Sequence, residues 1–521
     1  MTRHSLFWGI AGTAGFFAGF PNPFWHIPPA VLLYPVALCV LGLCASRAVA
    51  AFRAGWLVGL AGASAALYWI AVPLHNVGQI PWFLAIPCAM ALGAYVGLFA
   101  GFFSTAAYLL RKHSPFIRAL ELGLIWYFLE VLRGCLFTGF PWLSLSTAFV
   151  PWPVLLQGAS VTGAYALAGI FVTLACWLAL PAAAGNSRNL RIAGALLFVL
   201  LWAGGAWRLE QHPLVSATDP DVRPVLFVEG NIDQNQKWDP VWQKATVNTY
   251  MALTAQALPT WGNKTPLVIW PETAMPFYYQ EHPLYGPQLR NFVADHNITL
   301  VLGAPGYRKN GATKTFHIFN RAYLLSPEGR DAGSYEKEHL VPFGEYLPPL
   351  LAFDFLKPLL QGVGDFTTGS STAPLNTGDL SLGMLICYES IFPELAQERV
   401  NEGANILLNI SNDGWFGDTS AAQQHLELAA VRSIEQGRWL LRGTNTGISA
   451  VFDHVGRLVV RGGQFTPQTV PAYAQLRSQT TVYHRLAPFI PWIGLALFIA
   501  LFILEHFRRR VYLKGNYDTI C

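Results

Sequence analysis

Leu380-Ser381-Leu382-Gly383-Met384-Leu385-Ile386-Cys387-Tyr388-Glu389-Ser390 is the stretch that decides how this chain is read. Its first seven residues are uncharged and mostly aliphatic, the pattern of a strand buried on both faces. The run breaks at a thiol followed at once by polar residues. In α/β folds, reactive side chains gather beyond the carboxyl ends of such strands. Cys387 is also the only cysteine between Arg208 and His484; the other six stand in apolar stretches or at the extreme C-terminus. A plainer reading competes with that of a nucleophile, because a lone cysteine behind a strand is commonly inert packing.

The same polar segment supplies two partners for a thiol. Glu272 stands in Trp270-Pro271-Glu272-Thr273-Ala274-Met275-Pro276, where prolines stiffen the loop and apolar neighbours raise the carboxyl pKa toward that of a useful base. Lys337, in Tyr335-Glu336-Lys337-Glu338-His339-Leu340, offers a cation to a developing oxyanion, and the backbone N–H of Tyr388 offers a hydrogen bond. Singly, Glu272 reads as a solvated turn residue and Lys337 as part of a surface strand. Jointly, the three supply what acyl transfer to a thiol requires.

Composition places this chemistry beside a membrane. The sequence is 53% apolar and only 12% charged, against roughly 25% charged in soluble domains. The charge is unevenly spread: up to Trp207 the acidic residues are Glu121 and Glu130 alone, and the others all lie beyond. Seven apolar spans are expected near 5–20, 25–45, 54–73, 82–110, 117–134, 154–183 and 191–207, with an eighth at 488–506. The first is short and ends at Pro21-Asn22-Pro23, and Pro87 is a candidate kink in the fourth. No small-residue cleavage site follows the first apolar run, so a removable signal peptide is not expected. Three parts follow: a seven-span domain over 1–207, a polar domain over 208–487, and a last span with a basic tail over 488–521.

Positive charge orients the spans. Arg3, then Arg47 and Arg53, then Arg111, Lys112 and Arg118, then Arg188 and Arg191, then Arg508, Arg509, Arg510 and Lys514 occupy alternate loops and belong on the cytoplasmic side. Seven spans from a cytoplasmic N-terminus put 208–487 outside the cytoplasm. Within the membrane part, Glu130 and Arg133 lie one turn apart and read as a simple i,i+3 pair. The net charge of +4 comes from loops, without the aromatic-interleaved basic stripe of a nucleic-acid binder. The seven cysteines show neither zinc spacing nor a disulfide framework, and nothing calls for a cofactor or a metal.

In the polar domain, strands are expected at Val225–Ile232, Leu267–Trp270, Ile298–Gly303, Thr315–Leu325, Leu380–Ile386 and Ile406–Ile410, with helices near 241–256, 285–296, 391–402 and 420–436. This rhythm predicts a mixed α/β sandwich with two buried sheet faces.

The segments carrying Glu272, Lys337 and Cys387, in that order, resemble the nitrilase (carbon–nitrogen hydrolase) superfamily. With spans on both sides they resemble its bacterial apolipoprotein N-acyltransferase family. The likeness runs through Glu229-Gly230-Asn231-Ile232, Lys237-Trp238-Asp239, Trp270-Pro271-Glu272-Thr273, Lys337-Glu338-His339-Leu340-Val341-Pro342-Phe343-Gly344-Glu345-Tyr346, Cys387-Tyr388-Glu389-Ser390, Ser411-Asn412-Asp413-Gly414-Trp415-Phe416 and, in the membrane part, Gly139-Phe140-Pro141-Trp142. The resemblance implies an αββα nitrilase-like sandwich on the periplasmic side of the bacterial inner membrane. It implies a Glu–Lys–Cys triad with Glu272 as general base, Lys337 as oxyanion stabiliser and Cys387 as nucleophile. Glu345 resembles a second glutamate that supports the lysine, and Trp238, Tyr388 and Glu389 match further positions associated with activity. The implied reaction is ping-pong. An acyl chain passes from a phospholipid, typically phosphatidylethanolamine, to Cys387, and then to the α-amino group of the S-diacylglyceryl cysteine of an apolipoprotein.

Two apolar arms, 275–279 and 347–360, follow reactive residues and are candidates either to enter the leaflet or to pack on the sandwich. Two rivals are a membrane-tethered amidase using water and a transporter with an external binding domain. The scarcity of charge inside the spans disfavours the transporter.

Overall fold

The computed structural model describes residues 3–180, 187–234, 236–262, 264–309, 315–347 and 364–511. Helical segments occupy all eight expected apolar stretches: Arg3–Gly19, Pro28–Leu43, Ala48–Ala66, Trp82–Leu109, Pro115–Cys135, Ala159–Ala179, Ser187–Gln211 and Ile490–Val511. Among the described residues, five are long and apolar enough to cross a membrane: Ala48–Ala66, Trp82–Lys112, Ala159–Ala179, Arg188–Gln211 and Ile490–Arg509. Arg3–Gly19 is 17 residues long, and Pro115–Cys135 buries Arg118, Glu121, Glu130 and Arg133.

Helix limits differ from the hydropathy reading where the backbone leaves helical geometry. The helix expected at 54–73 starts at Ala48 and stops at Ala66, since Leu67 turns to φ −102°, ψ 19° and a 3-10 turn follows. Pro87 sits inside its helix without ending it. The stretch expected at 154–183 is a one-turn helix Pro153–Leu156 followed by Ala159–Ala179. Gly163 interrupts the latter at φ +77°, and a Cβ there would lie 2.4 Å from the Tyr483 ring.

The polar domain is two six-stranded sheets. Their strands are β1 (Val222–Glu229), β2 (Leu267–Ile269), β3 (Thr299–Lys309), β4 (Phe316–Leu325), β5 (Asp331–Glu336), β6 (Leu375–Thr377), β7 (Leu380–Ile386), β8 (Ile406–Ser411), β9 (Leu440–Thr444), β10 (Ala450–Phe452), β11 (Leu458–Arg461) and β12 (Gln468–Gln475). The first sheet runs β12-β1-β2-β3-β4-β5 and the second β11-β10-β9-β8-β7-β6. In each, three parallel strands, β1-β2-β3 and β7-β8-β9, are flanked by antiparallel ones. The parallel strands are mostly apolar because both faces are covered, with Asn409 of β8 and Arg442 of β9 as buried polar exceptions.

Between the sheets lie Phe227, Ile269, Val301, Leu324, Met384, Ile386, Leu408, Ile410 and Leu441. Outside the first sheet, Leu226, Val228 and Trp270 pack with Val247, Tyr250, Leu289 and Phe292 of the helices Gln243–Ala257 and Tyr285–Asp295. Met275, Phe277 and Tyr279 of the first apolar arm are buried in that same core, so this arm packs on the sandwich. The second arm, 347–360, lies outside the described residues apart from Leu347.

Outside the second sheet, Leu385, Leu407 and Leu440 and the helices Pro393–Asn401 and Ala421–Gln436 share one continuous core with the membrane-type helices. The side chain of Gln424 pins this junction. Its amide nitrogen donates to the carbonyls of Pro21 (2.9 Å) and Ala66 (3.1 Å), and its oxygen accepts from the indoles of Trp69 (3.0 Å) and Trp142 (2.8 Å). Glu130 and Arg133 do not pair within ion-pair distance of each other. Glu130 instead accepts from Trp126, Ser144 and the Leu145 N–H, and Arg133 donates to Leu143, because the buried loop after Gly139 needs those partners. Gln424→Leu should therefore leave four buried polar groups unpaired at a cost of about 1–3 kcal/mol each. Thermal unfolding in detergent is expected to show a Tm several degrees lower, while a Tm equal to wild type contradicts this role.

Candidate active site

Glu272, Lys337 and Cys387 each follow the end of a strand. Trp270-Pro271 carries the chain out of β2 into a turn that holds Glu272, with Thr273 at φ +47°. That turn lies directly on β3 at Gly303. The Gly303 N–H donates to Pro271 O (3.1 Å), and a Cβ at Gly303 would sit 2.5 Å from Thr273 N. Lys337 is the first residue after β5, and its N–H still donates to Asn320 O of β4 at 2.9 Å. Cys387 follows β7 and takes φ +53°, a left-handed conformation costly for a non-glycine residue.

The three side chains converge. The Lys337 ammonium, 1% exposed, lies 3.7 Å from Glu272 Oε1 and 2.9 Å from the Glu345 carboxylate. Asn320 Nδ2 donates to Glu272 Oε1 (2.7 Å) and to Glu345 Oε1 (2.9 Å), and the Asn412 N–H donates to Glu272 Oε2 (2.9 Å). The Cys387 thiol is within electrostatic reach of Glu272, Lys337 and Asp413, with Ser411 close by.

Burial dominates the protonation of the site. It raises Glu272, with Glu345 adding to it and Lys337 and Asn320 opposing. Burial, then Glu272, also pushes the Cys387 thiol far up, against the pull of Lys337. For Lys337, burial acts downward, but Glu345, Glu272 and Cys387 together hold its ammonium well above the ordinary lysine value. The resting site is thus a neutral thiol beside a carboxylate of raised proton affinity and a cation held charged.

A second set of contacts fixes the Cys387 turn. The Cys387 carbonyl accepts from Ser390 Oγ (2.9 Å), His425 Nε2 (3.1 Å) and Asn409 Nδ2 (3.3 Å). A carbonyl only accepts, so Nε2 carries the hydrogen, and Nδ1 faces Asp413 (3.1 Å) and Arg442 (3.0 Å). In a planar trans peptide the next N–H points opposite to the carbonyl. These three donors therefore turn the Tyr388 N–H toward the other side of the peptide.

Glu389, fully buried, accepts through one oxygen from Ile386 N–H (2.6 Å) and through the other from Tyr335 O–H (2.8 Å), Glu338 N–H (2.7 Å) and His339 N–H (3.1 Å). It thereby ties the turn before Cys387 to the residues on both sides of Lys337. Tyr388 O–H donates to Gly139 O (3.1 Å), joining the Cys387 turn to the membrane-part motif. Trp238 stands apart: it is 44% exposed and makes no hydrogen bond with this network among the described residues.

Three participants were not singled out by sequence reasoning. Asn320 bridges the two glutamates. His425 orients the Cys387 peptide. Lys237 is fully buried with its ammonium 3.4 Å from the Glu272 backbone carbonyl, and burial pushes its pKa down to about 7 with Glu272 opposing. Only Lys237 had a local signal, its place in Lys237-Trp238-Asp239. No group of three or more His, Cys, Asp or Glu side chains placed to hold a metal occurs among the described residues.

The carbon–nitrogen hydrolase family model matches residues 232–482, the segment that brings this thiol, carboxylate and lysine together at strand ends of an αββα sandwich, and the match gives the class of enzyme. The model of the apolipoprotein N-acyltransferase N-terminal domain matches residues 12–178. The chain is 34% identical over 455 residues to the apolipoprotein N-acyltransferase of Geobacter metallireducens, covering 86% of this chain and 85% of that protein. It is 30% identical over 499 residues to the one of Pseudomonas syringae pv. tomato, covering 93% and 92%. The chain belongs to the apolipoprotein N-acyltransferase family and is an acyltransferase. Solved structures with a likeness to it include a carbon–nitrogen hydrolase of Helicobacter pylori (TM-score 0.38, 19% identity, 52% of this chain and 94% of that one). An amidase of Nesterenkonia sp. also matches (TM-score 0.37, 19% identity, 50% and 92%).

Glu389→Gln keeps the shape but turns an amide N–H₂ toward a buried donor whichever way it is placed. It should lower stability by about 1–3 kcal/mol and alter the alkylation rate of Cys387. Thermal unfolding together with mass spectrometry of iodoacetamide-treated protein checks this; an unchanged Tm and an unchanged labelling rate contradict it.

Proposed function

We propose that this chain N-acylates lipoproteins through a Cys387 thioester, taking the acyl chain from a phospholipid. Glu272 takes the thiol proton as sulfur attacks the ester carbonyl carbon. Negative charge collects on the carbonyl oxygen, opposite Lys337 and the Tyr388 N–H. The carbon–oxygen bond breaks, and the proton on Glu272 passes to the leaving alkoxide, giving a lysophospholipid and a thioester. The α-amino group of an S-diacylglyceryl cysteine then attacks the thioester carbonyl. Its proton goes to Glu272, the carbon–sulfur bond breaks, and the thiolate is reprotonated as the N-acyl lipoprotein forms. Glu345 holds Lys337, while Tyr388 and Glu389 hold the turn; Trp238, exposed and one residue beyond the buried Lys237, is a candidate contact for substrate. Phosphatidylethanolamine is the proposed donor.

The observation that carries this reading is the convergence of Glu272, Lys337 and Cys387 in one buried network whose nucleophile turn is bonded to Gly139 of the membrane part. Each buried CH₂ holds a lipid in the bilayer by about 0.8 kcal/mol, so an enzyme acting on two lipids gains by bringing its thiol to them. The same reading makes all eight helical segments spans of the bacterial inner membrane, with the sandwich on the periplasmic side and 208–487 as the catalytic domain. Alternate basic loops support that orientation.

Incubation with acyl-labelled phosphatidylethanolamine should put hydroxylamine-sensitive label on Cys387 and none on Cys387→Ser. Equal labelling of both, or of neither, overturns the thioester. Glu272 must be ionised to act as base, and its pKa is raised. The rate of single-turnover acylation should therefore fall as pH drops through a value above the ordinary carboxylate range. A rate that is flat with pH down to that range contradicts Glu272 as the base.

A further inference from the structure

A second cationic group lies at the opposite end of the strands from Cys387. Phe452 of β10 pairs with Leu440, and Gln475 of β12 pairs with Val222, so the residues that follow them cap the edge where β9 and β1 begin. Cys387 and Glu272 follow the other ends of their strands. Four segments meet at this remote edge: Arg208 in the last turn of Ser187–Gln211, His212 just beyond it, the turn holding Asp453, His454 and Arg457, and Arg477.

Contacts knit the group together. Arg208 Nε donates to Gln157 Oε1 (3.0 Å), and Gln157 Nε2 donates to Val455 O (2.8 Å), next to His454. The His212 and His454 rings meet edge-on at 4.7 Å, and Arg457 donates to the His212 carbonyl.

Charge in this group does not balance. Asp453 pairs with Arg457 (2.6 Å) and also accepts from the N–H groups of Val455 and Arg457. Among the described residues, Arg208 and Arg477 reach no carboxylate within ion-pair distance; Arg208 bonds Gln157, and Arg477 bonds Gln475 and Gln479. Arg477 Nε is buried without a partner. His454 is only 4% exposed, yet neither of its ring nitrogens has a hydrogen-bond partner. Buried polar groups are nearly always paired, and clustered guanidinium groups repel unless an anion stands among them. Burial, and then the charges of Arg477, His212, Arg208 and Arg457, hold His454 neutral, so that one ring nitrogen is a donor and not a further charge.

We propose that Arg208, Arg477 and His454 seat one phosphate-bearing anion, the phosphodiester of an anionic phospholipid. That lipid comes from the leaflet around Ser187–Gln211 and Ile490–Val511, which rests on reading those helices as spans. Guanidinium groups suit phosphate oxygens geometrically and electrostatically. Next to Arg208 stand the exposed Trp207 and, below it, Trp202, Leu200, Val199 and Leu196, an unshielded apolar face topped by tryptophan at the depth where headgroups lie. A lipid held there ties the end of the sandwich remote from the thiol to the leaflet.

The test uses the full chain in detergent, as wild type, Arg208→Gln/Arg477→Gln and Arg208→Lys/Arg477→Lys. Native mass spectrometry reads retention of phosphatidylglycerol, with diacylglycerol as the control that lacks phosphate. Wild type should retain one phosphatidylglycerol at least about tenfold more tightly than the Gln variant, with the Lys variant between them and diacylglycerol indifferent to all three. Thermal shift with inorganic phosphate separates the sources. A wild-type-specific rise without preferential retention of phosphatidylglycerol assigns the same site to a soluble phosphate. Equal retention of phosphatidylglycerol by wild type and Gln variant, with no specific phosphate shift, overturns the site. Labelling of Cys387 by acyl donor should persist in the variants, so failure here is distinguishable from failure of the thioester. Should the double variant aggregate, the half-buried Arg477→Gln alone carries the same criterion.

Discussion

One buried carboxylate holds the reactive centre in shape. Glu389 accepts four hydrogen bonds, from the end of β7, from Tyr335 on β5 and from the backbone just after Lys337. Arg399 supports it from behind, donating to Met384 O (3.0 Å) and Tyr335 O–H (2.6 Å) and pairing with Glu338. This anchor helps keep Cys387 at positive φ, since a left-handed cysteine persists only where its surroundings over-determine it. Three donors on the Cys387 carbonyl complete the restraint and fix the direction of the Tyr388 N–H. The strain of the turn is thereby offset by a polar network that is itself closed off from water.

The same turn reaches the membrane part. Tyr388 bonds Gly139, and the loop after Gly139 is held by Glu130 through Ser144 and the Leu145 N–H. His425, which orients the Cys387 peptide, packs against Trp142, with ring centroids 5.4 Å apart. Trp142 in turn bonds Gln424. The Cys387 turn, the helix Ala421–Gln436 and the membrane-type helices thus form one packed unit, and the outer face of the second sheet is covered by that unit. Gln157 and Val455 repeat the junction at the far end of the strands, so the sheet lies along the membrane part, touching it at both ends.

Much of this was legible in the sequence because it is local. Strand β7 falls at Leu380–Ile386 as its apolar run predicts, and the helices Tyr285–Asp295 and Ala421–Gln436 fall within a residue of expectation. Glu272 and Cys387 were named from strand-end placement, Lys337 as an available cation, and all three from the resemblance, and the fold brings them together. What stayed unread depends on distant partners. Asn320 meets Glu272 across 48 positions and His425 meets Cys387 across 38, with no local pattern to announce either. Strand β9 carries a fully buried Arg442, which breaks the apolar alternation used to find strands. Helix ends such as Ala66 are set by backbone angles that hydropathy does not report.

Acyl transfer from thiol to amine is the claim to which the whole arrangement answers. Its most direct test is a chase of isolated, acyl-labelled enzyme with a peptide bearing an N-terminal S-diacylglyceryl cysteine. Label is expected to leave Cys387 for the peptide amine, quickly with the peptide and slowly without it. Loss of label to water at one rate, with or without peptide, would contradict an acyltransferase working through this thiol.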